Sequence, residues 1–137
     1  MTTTVRILQG ITGIVGLGAL VLGLLFWIGN IDLISLHKLF GFIVALGLLV
    51  MSLVAVSTRG MRLLGVIGVV YAFILPVFGL SQATLLVGDL HWLIETAHML
   101  VGIGALALAG IMGTRYLRLK QTAARTASQV TVPEIGR

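Results

Sequence analysis

The stretch His91-Trp-Leu-Ile-Glu95-Thr-Ala-His98-Met-Leu-Val-Gly102-Ile-Gly-Ala-Leu-Ala-Leu-Ala109 is an apolar segment with three ionisable residues near its start. Positions 91, 95, 98, 102, 105 and 109 repeat at helical spacing, so they share one face of a helix. This face reads His, Glu, His, Gly, Ala, Ala, and its small residues leave room for a bulky planar group that an imidazole could hold. Ionisable side chains inside a bilayer are costly and usually mark a functional site. For His91 and Glu95, an interfacial position is the competing interpretation.

The composition is that of an integral membrane protein. The 137 residues are 58% hydrophobic and only 9% charged, and the mean hydropathy of +1.16 lies well above that of soluble domains. Four apolar segments each come close to the ~20 residues that cross the hydrocarbon core as a helix. We therefore predict an all-α, four-transmembrane-helix bundle made of two pseudo-repeated helical hairpins. The predicted segments are Ile7 to Ile28, Leu33 to Val56, Leu63 to Val87 and Trp92 to Gly113.

The basic residues predict the orientation of the bundle. They cluster at the N-terminus, in the second loop and in the C-terminal tail, whereas Lys38 alone falls on the other side. By the positive-inside rule both termini are cytoplasmic, and we expect a multi-pass protein of a bacterial-type plasma (inner) membrane. Residues 1–113 are the predicted membrane domain, and residues 114–137 are a polar cytoplasmic tail, a short helix followed by disorder. The clustered residues are Arg6, Arg59, Arg62, Arg115, Arg118, Lys120, Arg125 and Arg137.

Composition also excludes several functions. The basic residues flank the spans and are not interleaved with base-stacking aromatic residues, so we expect contact with anionic lipid and no nucleic-acid partner. The chain has no cysteine. This excludes disulfides, thiolate ligation of iron–sulfur clusters and covalent haem attachment through a CxxCH motif. A di-iron carboxylate bundle is excluded as well, because Glu95 is the only glutamate in a predicted span.

Two predicted helices contain the same short motif, His-x-x-x-Gly at the start of an apolar run. It occurs at His37 to Gly41 and again at His98 to Gly102. A glycine four residues after a histidine lies one turn away on the same helix face, where a porphyrin ring held by that histidine would press. If the hairpins are pseudo-repeated, both helices run in the same direction and the two motifs face each other. Haem iron can be bound by two neutral histidines from opposite sides of a bundle.

A four-helix membrane bundle with one histidine near the start of helix two and another in helix four resembles the b-type haem membrane proteins. The resemblance is to the bacterial cytochrome b561 type and to one four-helix half of haem A synthase, in which an acidic residue precedes a histidine as in Glu95-Thr-Ala-His98. It implies a haem b with His37 and His98 as iron ligands. Those proteins usually carry further histidines, whereas three histidines here suffice for one bis-histidine haem.

The choice of ligands stays open at this point. The depth of each histidine in the membrane can be counted along its helix from the basic residues at the cytoplasmic end, and by this depth His37 pairs with His91. The repeated motif instead pairs His37 with His98. We predict the second pairing, which leaves His91 to contact a haem propionate or to stay at the interface. Glu95 is expected to hydrogen-bond a ligand nitrogen, to transfer protons or to extend to the outer surface.

The functional prediction is a b-type membrane cytochrome with one bis-histidine haem near the outer face. It would act in electron transfer or as a small subunit of a respiratory or redox complex. The expected partners are the lipid bilayer, a quinone or a redox partner subunit, and other copies of the chain. One alternative is a haem transport or delivery protein. Another is a small proton-coupled transporter that uses Glu95 and resembles the four-helix multidrug exporters, although those exporters carry their glutamate in the first helix.

Overall fold

A computed structural model describes residues 2–29 and 31–130, and all regular structure in these residues is helical. Four helices there are each long and apolar enough to span a membrane, which makes the chain a multi-pass membrane protein by length and composition. The predicted all-α class is thereby confirmed. The helices are α1 (Thr2–Gly29), α2 (Ile34–Val56), α3 (Arg62–Ser81) and α4 (His91–Val130), and a 3₁₀ turn (Gln82–Thr84) follows α3.

The third helix ends before the predicted Val87. The segment after Ser81 is as apolar as a helix interior, but Leu86 has a positive φ of 45°, which does not occur within an α-helix. The hydroxyl of Ser81 donates to the carbonyl of Phe78 at 3.2 Å, and that of Thr84 donates to the carbonyl of Ser81 at 2.8 Å. These bonds close the last helical turn, and the apolar residues that follow form a loop that composition alone does not distinguish from a helix.

The fourth helix is longer than predicted. It passes Gly113 without a break and continues to Val130, so the first part of the polar tail extends a transmembrane helix. Its 40 residues correspond to about 60 Å at a rise of 1.5 Å per residue, about twice the hydrocarbon thickness. The helical part of the tail is therefore longer than the short helix that was predicted. The disorder predicted at the end of the tail concerns residues 131–137, which lie outside the described residues.

Each helix packs against its neighbours in the order α1, α2, α3, α4, and α4 closes the bundle against α1. In the described part of the chain α2 and α4 also touch across the bundle, whereas α1 and α3 do not. Because successive helices are antiparallel, α2 and α4 run in the same direction. The bundle thus has an arginine end, with Arg6, Arg59, Arg62 and Arg115, and a histidine end, with His37, His91 and His98.

The arginine half of the bundle is closely packed. At Gly65 a β-carbon would collide with the backbone of α2 at Val56, so glycine lets α2 and α3 approach more closely than any other residue would. Small residues at helix crossings have this role in membranes, where van der Waals packing drives helix association. Leu48, Met61 and Met112 belong to the buried core of the bundle, with 0%, 1% and 1% of their surfaces exposed.

Polar side chains in the bundle interior bond to backbone carbonyls. The Ser52 hydroxyl donates to the carbonyl of Leu48 at 2.6 Å, as a serine inside a membrane helix commonly does. Two longer side chains join different helices: Tyr71 of α3 donates to Val101 of α4 at 3.1 Å, and Gln9 of α1 donates to Gly110 of α4 at 3.2 Å. Apolar side chains on the outside of the bundle remain exposed, as contact with lipid requires.

Candidate functional site

The histidine half of the bundle encloses a cavity of about 380 Å³, to which each of α1 to α4 contributes side chains. This volume is within the range of about 300–1,000 Å³ that is typical of ligand sites. The inner wall of the cavity is apolar and includes Val44, Leu75 and Leu106, while its mouth at the histidine end is lined by polar side chains. The residues that the sequence singles out all line it, namely His37, Gly41, His91, Glu95, His98 and Gly102.

His37 and His98 meet across the bundle. Their ring centroids are 5.9 Å apart, and the ring planes are inclined by 65°. His37 lies at the start of α2 and His98 in the second turn of α4, and the contact between these parallel helices brings the two rings together. Of the two histidines that the sequence offers as a partner for His37, the structure places His98 against it.

The imidazole of His37 is held by the backbone of α1. Its Nδ1 lies 2.9 Å from the carbonyl oxygen of Ala19. A carbonyl oxygen only accepts, so the hydrogen bond requires the proton on Nδ1, and in the neutral ring Nε2 then keeps its lone pair. This is the arrangement found for most metal-ligating histidines, in which the second ring nitrogen donates to a carbonyl or carboxylate and thereby fixes ring orientation and tautomer.

His98 lacks an equivalent partner. Its Nδ1 is buried and has no hydrogen-bond partner within the described residues, and the side-chain oxygen of Gln82 is in the same condition. An unsatisfied buried polar atom costs about 1–3 kcal/mol, and both of these atoms belong to side chains that line the cavity. The ring of His98 is otherwise packed against Phe78, with ring centroids 5.9 Å apart and planes inclined by 63°.

The sequence analysis missed two glycines that make room for the histidine rings. A β-carbon at Gly23 of α1 would lie 3.2 Å from Cε1 of His37, and a β-carbon at Gly79 of α3 would lie 3.0 Å from Cε1 of His98. The first helix of each hairpin thus has a glycine against the histidine of the second helix. The sequence carries no signal that identifies them, because glycine is frequent in this chain and the two glycines precede their histidines by different numbers of residues.

His91 and Glu95 stand at the mouth of the cavity, both half-buried. The Nδ1 of His91 lies 3.1 Å from the carbonyl oxygen of Leu85, so by the same reasoning this ring donates to the loop between α3 and α4. Glu95 is on the same face of α4, one turn from His91 and one from His98. Lys38, which follows His37 in α2, is exposed and adds a positive charge to the same mouth.

The site has few protein ligands for a bare metal ion. Within residues 2–29 and 31–130 no group of three or more histidine, cysteine, aspartate or glutamate side chains is placed to hold one. A zinc site built from His37, His91 and His98 is therefore not formed, since zinc takes at least three protein ligands.

Comparisons with protein-family models, with curated proteins and with solved structures find no match to this chain. Its function is therefore argued from the geometry of the cavity and of the histidine pair.

Proposed function

We propose that the chain binds one haem b between His37 and His98 and acts as a small b-type membrane cytochrome near the outer face of the bilayer. The observation that carries the proposal is the pairing of the two rings across one cavity, 5.9 Å apart, with the Nδ1 of His37 bonded to a carbonyl. That bond leaves Nε2 of His37 available to a metal. The chain also resembles b-type haem membrane proteins in having four membrane helices with one histidine near the start of the second and another in the fourth.

The spacing of the rings fits a shared metal. Metal–imidazole nitrogen bonds are about 2 Å long, as in zinc sites, so imidazoles on opposite sides of one metal have centroids about 6 Å apart. The observed 5.9 Å is close to this value. The Nδ1 of His98 has no hydrogen-bond partner within the described residues, so no bond to the protein fixes the tautomer of this ring.

The walls of the cavity fit a flat apolar ring. A β-carbon at Gly41 would meet nothing within 4 Å, and one at Gly102 would meet only the side chain of Leu20, at 3.8 Å. Both glycines lie one turn from a histidine and line the cavity, so the space beside them is cavity space. The pairs Gly23–His37 and Gly79–His98 support a pseudo-repeat of the two hairpins, with the ligand between them.

A bound haem supplies one-electron chemistry. The residues of the chain would hold it: His37 and His98 would bind the iron, the carbonyl of Ala19 would orient His37, and the apolar wall around Leu75 and Leu106 would exclude water. A single site at one end of the bundle does not carry electrons across the bilayer. The electrons must therefore be exchanged with a quinone, a partner subunit or a soluble donor on the same side.

Haem transport or delivery is the second candidate function, and the asymmetry of the two histidines favours it. A ligand histidine whose second nitrogen donates to a carboxylate or carbonyl binds more tightly, and loss of such a partner commonly costs 10–100-fold in metal affinity. His98 has no such partner, whereas His37 has one. The cavity wall also includes lipid-exposed side chains, Phe42 and Leu80, with 50% and 56% of their surfaces exposed. A weakly bound iron ligand and a cavity wall that is open to lipid would allow the haem to be released to another protein.

The visible spectrum tests the proposal. Full-length protein purified in mild detergent from haem-supplemented cells should show the sharp alpha and beta bands of low-spin haem b on dithionite reduction, with one haem per chain. A colourless protein would refute both candidate functions. Mixing the loaded protein with excess haem-free acceptor protein separates the two functions, because a cytochrome should keep its haem, whereas a delivery protein should lose it to the acceptor.

The proposed orientation places the histidine end outside, with both termini cytoplasmic in a bacterial-type inner membrane. A reporter enzyme that is active only in the periplasm should give no signal when fused after Arg137. The same reporter inserted after Asp89, in the loop between α3 and α4, should be active and serves as the matched control. The reverse pattern would place the histidines on the cytoplasmic side and refute an outer-face haem.

A further inference from the structure

The mouth of the cavity carries polar groups that iron ligation does not use. Gln82 has a buried side-chain oxygen with no partner in the described chain, and Lys38 lines the same mouth from α2. Lys38 is also exceptional in position. Among the described residues it is the one lysine or arginine at the histidine end, whereas the positive-inside rule collects the others at the arginine end.

We infer that Lys38 and Gln82 form a binding site for the carboxylate groups of the porphyrin held by His37 and His98. The inference rests on the proposed function and adds the orientation of the ligand and the groups that recognise it. A porphyrin of the haem b type has an apolar ring and two carboxylates on one edge. In a cavity with an apolar inner wall and a polar mouth, that edge faces the mouth, because an unpaired buried carboxylate is far more costly than a solvated one.

The chemistry of the two side chains suits carboxylates. An ammonium group donates three hydrogen bonds and accepts none, and it forms charge-assisted bonds to carboxylates. The amide of Gln82 presents its oxygen to the buried position, but the oxygen and nitrogen of a side-chain amide are interchangeable by rotation about the terminal bond. The NH₂ group can therefore turn toward the mouth that Gln82 lines, where it would donate to a carboxylate.

His91 is less suited to this task. Its Nδ1 already donates to the carbonyl of Leu85, so the neutral ring has only an acceptor left on Nε2 and cannot donate to a carboxylate. Glu95 acts against the carboxylates, since an ionised side chain there repels a second negative group at the same mouth. Lys38 and Glu95 therefore affect the binding of a dicarboxylate in opposite directions. A ligand without carboxylates is insensitive to both.

Two porphyrins separate carboxylate recognition from iron ligation. The haem-free full-length protein, in neutral detergent without phospholipid, is titrated with iron protoporphyrin IX and with its dimethyl ester, and binding is followed by the low-spin absorption spectrum. The wild type should bind the diacid about tenfold more tightly than the ester, the effect expected for a charge-assisted hydrogen bond. Lys38→Gln should weaken diacid binding about tenfold and leave ester binding unchanged, and Gln82→Leu should act in the same direction.

Control variants test the charge directly. Lys38→Arg keeps the charge and should keep the preference for the diacid, while Glu95→Gln should bind the diacid at least as tightly as the wild type. Equal binding of both porphyrins, with low-spin spectra throughout, would overturn the carboxylate site and leave the haem proposal intact. Failure of both porphyrins to give a low-spin complex with the wild type would overturn the haem proposal itself, and the carboxylate site with it.

Discussion

Replacing His37 or His98 by alanine is expected to abolish the low-spin haem spectrum. Each histidine supplies one of the two proposed iron ligands, and α2 and α4 place their rings 5.9 Å apart. An iron left with one protein ligand becomes high-spin or is lost together with its porphyrin. The measurement is the reduced absorption spectrum and the haem-to-protein ratio of each variant, purified in the same detergent. We expect the low-spin bands to disappear in both variants.

His91→Ala is the matched control, because it removes an imidazole from the mouth of the same cavity. The ring of His91 donates to the carbonyl of Leu85 and is not packed against His37, so the low-spin bands should remain. At most the reduction potential should shift, through the changed polarity around the iron. Loss of the low-spin bands in His91→Ala, with His98→Ala unaffected, would show that the ligand pair is His37 and His91.

The existence of the helices could be predicted from the sequence, whereas the end of α3 could not. Long apolar runs define transmembrane helices because the bilayer requires them, and this constraint acts on composition. The end of α3 depends on hydroxyl-to-carbonyl bonds of Ser81 and Thr84 and on one left-handed residue, Leu86. These are local backbone features within an apolar segment, to which a hydropathy profile is insensitive. The length of α4 beyond Gly113 could not be predicted for a related reason, because an exposed polar helix lacks the apolar periodicity on which such a prediction depends.

Part of the candidate site could be predicted because it follows helical geometry. The spacing from His37 to Gly41 and from His98 to Gly102 places histidine and glycine on one face, and all four residues line the cavity. The hydrogen bond between His37 and the carbonyl of Ala19 could not be predicted from the sequence, because every residue has a carbonyl and only the packing of the helices decides which one contacts a histidine. Gly23 could not be singled out among the many glycines of α1.

Replacing Gly102 by leucine is expected to reduce the haem content of the protein while it still inserts into the membrane. A β-carbon at this position faces the cavity and meets only Leu20, at 3.8 Å, so a larger side chain extends into the space proposed for the porphyrin. Overpacking of this kind costs about 1–3 kcal/mol, which corresponds to a loss of roughly 5- to 150-fold in haem affinity. Gly41→Leu should act in the same direction but more weakly, because its β-carbon has no neighbour within 4 Å and the side chain can turn aside.

Gly13→Leu provides the matched control for both substitutions. Gly13 also lies in a transmembrane helix and a β-carbon there meets nothing within 4 Å, but the residue is exposed on α1 and does not line the cavity. This variant should keep its full haem content, which shows that an added leucine does not by itself disturb the bundle. Membrane fractions assayed for protein and for haem give the ratio for each variant. If Gly41→Leu and Gly102→Leu keep the same ratio as Gly13→Leu, the porphyrin does not lie against these two glycines.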